Sequence, residues 1–422
     1  QALQSQGIIL NTAERQQQVL EQVQKSALSL GGAIDPAPAL LAEVANLVEA
    51  PWAVVGSFDP EHLKLPREVL ISVMKKHQRY FPVERHGKLL PYFITVSNQG
   101  KALREDVELI VEGNEHVIRA RFADADFFVR EDLKQQLEDY LPRLRTLTFQ
   151  VKLGSMYDKS QRIRAMVEPL AAVLGMDESE KSTALRAAEL CKADLATRMV
   201  VEMTSLQGLI GRHYARLSGE SEAVARAIWE HYLPRSAGDA LPQEKPALVV
   251  GIADRLDTLA GLFAAGLAPS GTKDPFAQRR AALGLLQALI GTRVSLDLRR
   301  AIREIAAPQL PVLASPEAQE ACLQFIMDRL RNLLLDQGGR YDVVDAVLAA
   351  QGENPAHAAH AVSALARWLE RPDWNTILPA YSRCVRITRD LPERFSVNPA
   401  AFVESAEHDL MAALEAAESA PR

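Results

Sequence analysis

Apolar positions recur through most of this chain at three- and four-residue intervals, the spacing that gathers them on one face of a helix. That spacing predicts helices over 8–28 and 37–48, so residues 1–50 read as a helical lead-in. Between Trp52 and about Phe128 the texture changes to short β-branched and apolar runs separated by turn residues. The runs WAVVGSF from Trp52, 80–83, YFITVSN from Tyr92 and VELIVEG from Val107 read as strands, with a helix over 66–77 crossing them. An α+β domain is therefore expected at 51–150. Helical spacing returns after Asp124, most strongly at 130–141, 161–174, 182–199, 221–231, 246–265, 275–289, 317–337, 343–350, 356–370 and 402–417. The expected fold is mainly α with one α+β domain. Breaks rich in Gly, Pro and Ser fall at 233–244, 268–274 and 308–316, and the last is the expected boundary between helical domains at 151–310 and 311–422.

Composition narrows the class of molecule. A chain of 422 residues with 48% hydrophobic and 24% charged side chains can bury more than one core and is globular in balance. Its formal net charge of -6 argues against a polyanion partner for the surface as a whole, so any nucleic-acid surface must be local. Cys191, Cys322 and Cys384 are far apart and show no CxxC spacing, which fits buried small apolar residues in a reducing interior. No apolar run reaches the ~18 residues of a membrane span, and no basic-then-apolar leader is found, so a cytoplasmic protein is expected. The first residue is Gln1, which suggests a piece of a longer gene product.

Several segments carry chemistry. Lys75, Lys76, His77, Arg79 and Tyr80 put cations and an aromatic ring at a helix-to-strand junction, chemistry suited to phosphate and base contact or, more commonly, to a solvated helix C-terminus. Arg119 and Arg121 lie near Asp124 and Asp126; a metal held by the two aspartates is one reading, and salt bridges to the arginines are the commoner one. The loop PSGTKDPFAQRR from Pro269 places Asp274 to cap a helix at Pro275, with Lys273, Arg279 and Arg280 beside that helix start, an arrangement that suits either an anion or a structural turn. His213 and His231 each precede a tyrosine and read as packed or capping residues. In ELCKADLATRMVVEMTSLQGLIG and IADRLDTLAG, Asp194 and Asp254 sit on helices, Asp254 and Asp257 three apart on one face. These two segments resemble the inner helices of the HD phosphohydrolase fold, but Ala193 stands where the paired histidine belongs. A metal-dependent phosphohydrolase is thus one reading. A helical scaffold whose carboxylates pair with Arg198 or Arg255 is the favoured one. No GxGxxG, GxSxG or HExxH pattern and no HIGH-type or KMSKS-type signature is found, so no catalytic residue and no metal ligand is assigned.

Taken in order, ISVMKKHQRYFPV, FITVSN, GNEHVIRARFADADFFVR, LTFQVKLGSMYDKSQRI and AAELCKADLATRMVVEMTSLQGLIGRHYAR, followed by 226–234, 251–261 and 269–287, resemble the beta subunit of the bacterial heterotetrameric glycyl-tRNA synthetase. The segments FIMDRLRNLLLDQGGRYDVVDAVLA from Phe325 and YSRCVRIT from Tyr381, with Arg383 and Arg386, look like the start of that family's DALR-type anticodon-binding domain. The resemblance implies an α+β linker domain at 51–150, an HD-like all-α domain at 151–310 and a partial anticodon-binding domain at 311–422. It also implies that the family's N-terminal part and last helices lie outside this sequence. It implies a tRNA-recognition role, with tRNA-binding candidates Lys75, Lys76, His77, Arg79, Tyr80, Arg119, Arg121, Lys273, Arg279, Arg280, Arg383 and Arg386. Asp194 and Asp254 would mark a degenerate HD site. The implied partners are tRNA(Gly) and an alpha subunit carrying ATP and Mg, in a two-alpha two-beta assembly, with no cofactor on this chain and no membrane. The remaining alternative is a purely structural helical adaptor.

Overall fold

Asn11 accepts hydrogen bonds from the amides of Ala13 and Glu14, and the first helix, α1 (Thr12–Ser29), starts there. The computed structural model describes residues 8–35, 37–98, 107–390 and 396–419. Helix α2 (Pro38–Leu47) follows, and strands β1 (Pro51–Ser57), β2 (Phe81–Arg85) and β3 (Lys88–Asn98) form an antiparallel sheet in the order β1-β3-β2. Val19, Val23, Ala27, Leu40 and Val44 of the two helices pack with Phe81, Val83 and Ile94 on one face of that sheet. The expected lead-in is therefore one layer of the α+β domain, because a sheet face this apolar needs a cover.

Between β1 and β2 runs α3 (Arg67–Ser72), continued by a wider π turn over Val73–His77, which matches the expected helix at 66–77. The segment read as a strand from Val107 is instead the first turns of a long helix, α4 (Val107–Asp132). Its apolar residues satisfy both periods locally. What decides is the buried row Ile118, Phe122, Ala125 and Val129, which is helical in spacing. The ring of Phe122 meets Phe58 edge-on at 4.9 Å, fixing the helix beside the sheet domain.

The rest is helical. A capping box between Ser155 and Asp158 starts α5 (Met156–Val173) after a small ribbon of β4 (Thr148–Gln150) and β5 (Gly154–Ser155), and a second, Asp177 with Glu180, starts α6 (Glu178–Leu190). The stretch expected as one helix at 182–199 breaks after Cys191 and resumes as α7 (Arg198–Glu202), followed by α8 (Leu209–Leu217) and α9 (Glu222–Glu230). Helix α10 (Lys245–Ala264) is apolar around almost its whole circumference, and α5, α6 and α9 pack around it together with α11 (Gln278–Thr292) and α13 (Pro316–Asp336). The short α12 (Leu298–Arg300) lies between the last two.

The break at 308–316 does not separate the helices on its two sides: Phe325 of α13 rests on Phe263 of α10 with ring centroids 5.3 Å apart. By contact, the compact units are Gln1–Val362 and Ser363–Arg422. The first also holds α14 (Tyr341–Gln351) and the first half of α15 (Pro355–Leu369); the second holds α16 (Trp374–Thr388), which buries no residue, and α17 (Ser405–Ser419). The architecture is mainly α with a small antiparallel sheet, as the periodicity predicts.

A candidate anion pocket over a buried charge cluster

Helix α10 aims Asp254 and Asp257 from one face, as their three-residue spacing requires, into the gap between α5 and the end of α6. Lys159 of α5 bridges them, its ammonium 2.9 Å from Asp254 Oδ1 and 2.9 Å from Asp257 Oδ2. Arg162, one turn on, donates Nε to Asp257 Oδ1 at 2.5 Å and a terminal nitrogen to the Leu153 carbonyl at 2.8 Å. Lys192, just beyond α6, donates to Asp254 Oδ2 at 2.8 Å, meets His231 Nε2 at 2.9 Å and lies over the Tyr232 ring at 4.2 Å. His231 Nδ1 faces the Ile228 carbonyl at 2.7 Å, so it donates there and leaves Nε2 to accept from Lys192. Burial foremost, then the neighbouring Lys192 charge, holds the His231 pKa well below its usual value. Burial alone would raise Asp254, but Lys159 and Lys192 outweigh it and hold the carboxyl well below the usual range.

This donor set does not suit a divalent metal. His231 Nε2 and Asp254 Oδ2, 3.9 Å apart, converge on the Lys192 ammonium, and a transition metal needs several free nitrogen, thiolate or carboxylate donors about one point. Among the described residues no group of three or more His, Cys, Asp or Glu is disposed to hold an ion.

Asp194 belongs to a different device. It is buried, and its Oδ2 accepts from the amides of Gly208 at 2.5 Å and Gly211 at 3.1 Å, capping α8 from across the fold. Its Oδ1 is buried with no partner among the described residues, and burial pushes its pKa up to about 6. Asp132 does the same for α7, accepting from the amides of Arg198 at 2.9 Å and Met199 at 3.0 Å and from the Tyr214 hydroxyl at 3.1 Å. The expected pairing of the carboxylates with Arg198 or Arg255 is corrected: the cations are Lys159, Arg162 and Lys192. Arg255 instead gives its guanidinium to the carbonyls of His231, Tyr232, Leu233, Pro234 and Gly251.

Above the cluster opens a cavity of about 410 Å³, with Asp254 and Tyr232 toward its floor and Lys76, Arg235, Phe276 and Arg280 among its walls. Arg235 is held by the Gln207 carbonyl at 2.6 Å and lies over the Trp229 ring at 4.3 Å. None of Lys76, Arg235 and Arg280 has a carboxylate within salt-bridge distance among the described residues. Burial and the nearby Arg235 charge lower the Lys76 pKa.

The other sequence candidates are placed as follows. Lys75 binds Asp35 at 2.6 Å and Arg79 binds Glu43 at 2.5 Å, so both charges are already engaged. Tyr80 is in the core, stacked on Phe93 at 4.5 Å with its hydroxyl donating to Asn114 Oδ1 at 2.5 Å; burial pushes its pKa up to about 12. His77 is exposed, as are Arg119 and Arg121, which lie on α4 and not on a strand; the nearby Asp126 pairs with Arg130 at 2.7 Å instead. In the 269–280 loop, Asp274 accepts from the amides of Gln278 at 2.8 Å and Arg279 at 2.9 Å, so it caps α11 itself and fills the seat an anion would take. Helix α11 accordingly begins at Gln278, not at Pro275. Lys273 closes a tight turn with Ser270, and Arg279 reaches the Gly271 carbonyl. Arg383 and Arg386 are exposed on α16 in the second compact unit.

Residues 1–349 match the model of the glycyl-tRNA synthetase beta subunit family. The chain belongs to that family. It is 44% identical over 378 residues to the glycine--tRNA ligase beta subunit of Clostridioides difficile, covering 89% of this chain and 54% of the relative. It is 42% identical over 409 residues to that of Actinobacillus pleuropneumoniae, covering 96% and 59%, and 45% identical over 352 residues to that of Trichodesmium erythraeum, covering 81% and 48%. The chain thus spans about half to three-fifths of the length of the curated relatives it matches.

Within this glycyl-tRNA synthetase beta-family chain, sequence reasoning missed Lys159, Arg162, Lys192 and Arg235. One signal was present: Lys192 directly follows Ala187, Ala188, Leu190 and Cys191, a run whose apolar texture marks a buried turn. Among the described residues no helix is long and apolar enough to cross a membrane.

Proposed function

We propose that this chain is the tRNA-recognition part of a glycyl-tRNA synthetase beta subunit, acting beside an alpha subunit that joins glycine, ATP and tRNA(Gly) to give glycyl-tRNA, AMP and diphosphate. The observation that carries the reading is the match to beta subunits at 42–44% identity along 89–96% of this chain. In this reading the alpha subunit holds ATP and Mg, the assembly is two alpha and two beta chains in the cytoplasm, and no cofactor resides on this chain. Residues 151–310 act as an HD-like scaffold and 311–422 as part of a DALR-type anticodon-binding domain.

The contribution to catalysis is positioning. Holding the terminal adenosine of tRNA against an adenylate on another chain makes a bimolecular step effectively intramolecular, which is worth up to about 7–11 kcal/mol of barrier. Phosphate contacts supply affinity; Lys76, Arg119, Arg121, Lys273, Arg280, Arg383 and Arg386 have no carboxylate within salt-bridge distance among the described residues and are cations free to make them, with the exposed His77 a hydrogen-bonding candidate beside Lys76. Lys75, Arg79 and Arg279 would have to exchange a present partner, and Tyr80 would have to leave the core.

The test is binding of tRNA(Gly) and an unrelated tRNA, with the alpha subunit present, at about 50 and 200 mM salt. Preference for tRNA(Gly), with affinity falling steeply as salt rises, is expected. Equal binding of both tRNAs defeats the proposal, and so does glycyl-adenylate formation by this chain alone.

A further inference from the structure

We propose that the cavity walled by Lys76, Arg235 and Arg280 is a binding site for a nucleoside phosphate. Its phosphate would sit among the three cations, and its base would lie against Phe276. The inference stands on the geometry of the cavity, whether or not Lys76 and Arg280 also contact tRNA. Many described arginines are paired with carboxylates, as Arg186 is with Glu220 and Glu138, and Arg331 with Asp345. Around this cavity the balance is reversed.

Arg235 is fixed by a carbonyl and a tryptophan ring, contacts that orient a guanidinium without neutralising it. Lys76 approaches from the π turn and Arg280 from α11, each from a separate element, and neither meets a carboxylate among the described residues. Beneath them Asp254 is already claimed by Lys159 and Lys192, and the largely buried Arg255 donates to carbonyls. Cations converging on a common space without a counter-charge raise one another's energy, and an anion entering that space relieves it.

The volume and the lining choose the class of anion. A cavity of about 410 Å³ lies within the range of small-molecule sites and exceeds what an inorganic anion occupies. Phe276 is only half-buried, so ring surface is available there to a planar base, and Ser205 and Gln207, also in the lining, offer hydrogen-bonding groups to its edge. A free mononucleotide and the last nucleotide of an RNA strand share this chemistry.

Titration calorimetry on the whole chain with AMP, inorganic phosphate and adenosine tests it. Saturable AMP binding is expected, with phosphate and adenosine each at least about tenfold weaker. Lys76→Ala and Arg280→Ala remove exposed side chains, so both variants keep the parent melting temperature; each should weaken AMP about tenfold, the worth of one charge-assisted hydrogen bond. Arg331→Ala, remote from the cavity, should bind AMP as the parent does. Displacement of AMP by tRNA identifies a strand end as the occupant, and persistence of AMP in the presence of tRNA identifies the free nucleotide. The proposal is overturned if AMP fails to saturate by about 10 mM, if adenosine binds as well as AMP, or if both cavity variants bind it like the parent.

Discussion

Replacing Lys192 by Met should cost this protein about 3 kcal/mol through one identifiable loss. The ammonium is 2.8 Å from Asp254 and 2.9 Å from His231, with side chains only 3% and 16% exposed for Lys192 and Asp254, so water from the cavity replaces only part of what it gives. Breaking a buried ion pair by removing one partner costs roughly 3–5 kcal/mol, because the other charge stays buried. Here the lower end applies, since Lys159 still holds Asp254 at 2.9 Å. Because a multidomain chain has no single unfolding free energy, the readout is the calorimetric transition of the helical unit around α10. For a unit of roughly 150–250 residues, about 3 kcal/mol corresponds to ~6–12 °C. Asp254→Asn should be costly too, and the double variant should cost about 1–3 kcal/mol less than the sum of the two, since each then removes what the other left unpaired. A shift of under about 2 °C for Lys192→Met, or strict additivity in the double variant, would refute the claim that this cluster neutralises itself. The pH dependence has a fixed sign: Asp254 is held below the usual carboxylate range, so its contribution is complete above the unfolded value of about 3.9 and is lost as pH falls through the lower folded value.

Further outcomes follow from neighbouring residues. Asp194, raised to about 6 by burial, makes the fold less stable as pH rises from about 4 to 6, at most about 3 kcal/mol; Asp194→Asn should remove that slope, so its melting temperature gains on the parent between pH 4.5 and 7, and parallel curves would contradict this. Gly208→Ala should destabilise by about 3 kcal/mol, because a Cβ there sits 2.5 Å from the Tyr232 ring and φ is +79°; an unchanged thermal transition would count against it. Arg331→Ala breaks an exposed pair with Asp345 and should change stability by less than about 1 kcal/mol in the same scan.

Legibility in the sequence followed the physics of each signal. The long apolar helix at 246–265 emerged as α10 within a residue or two because a run apolar on all sides has few alternatives in a globular chain. The segment from Val107 was misread because its apolar residues fit a strand or a helix over one turn, and only partners far along the chain decide. Asp254 and Asp257 were correctly put on one face, since spacing alone fixes that. Their partners were misassigned to Arg198 or Arg255 because a sequence does not show which cations are buried, and Lys159 and Lys192 come from 98 and 62 residues away.

The same limit explains why the cationic cavity was only partly visible. Lys76 and Arg280 stood out as basic residues near helix ends, but what sets them apart is that neither has a carboxylate within salt-bridge distance among the described residues. Asp274, expected as a helix cap, spends itself on the α11 amides, while Asp254 spends itself on two ammoniums. With both acids consumed by local structure, the surrounding cations are left in excess on one side of α10. A chain acidic overall can therefore present a basic concavity, because charge acts over about one Debye length, roughly 10 Å, and not over the whole sequence.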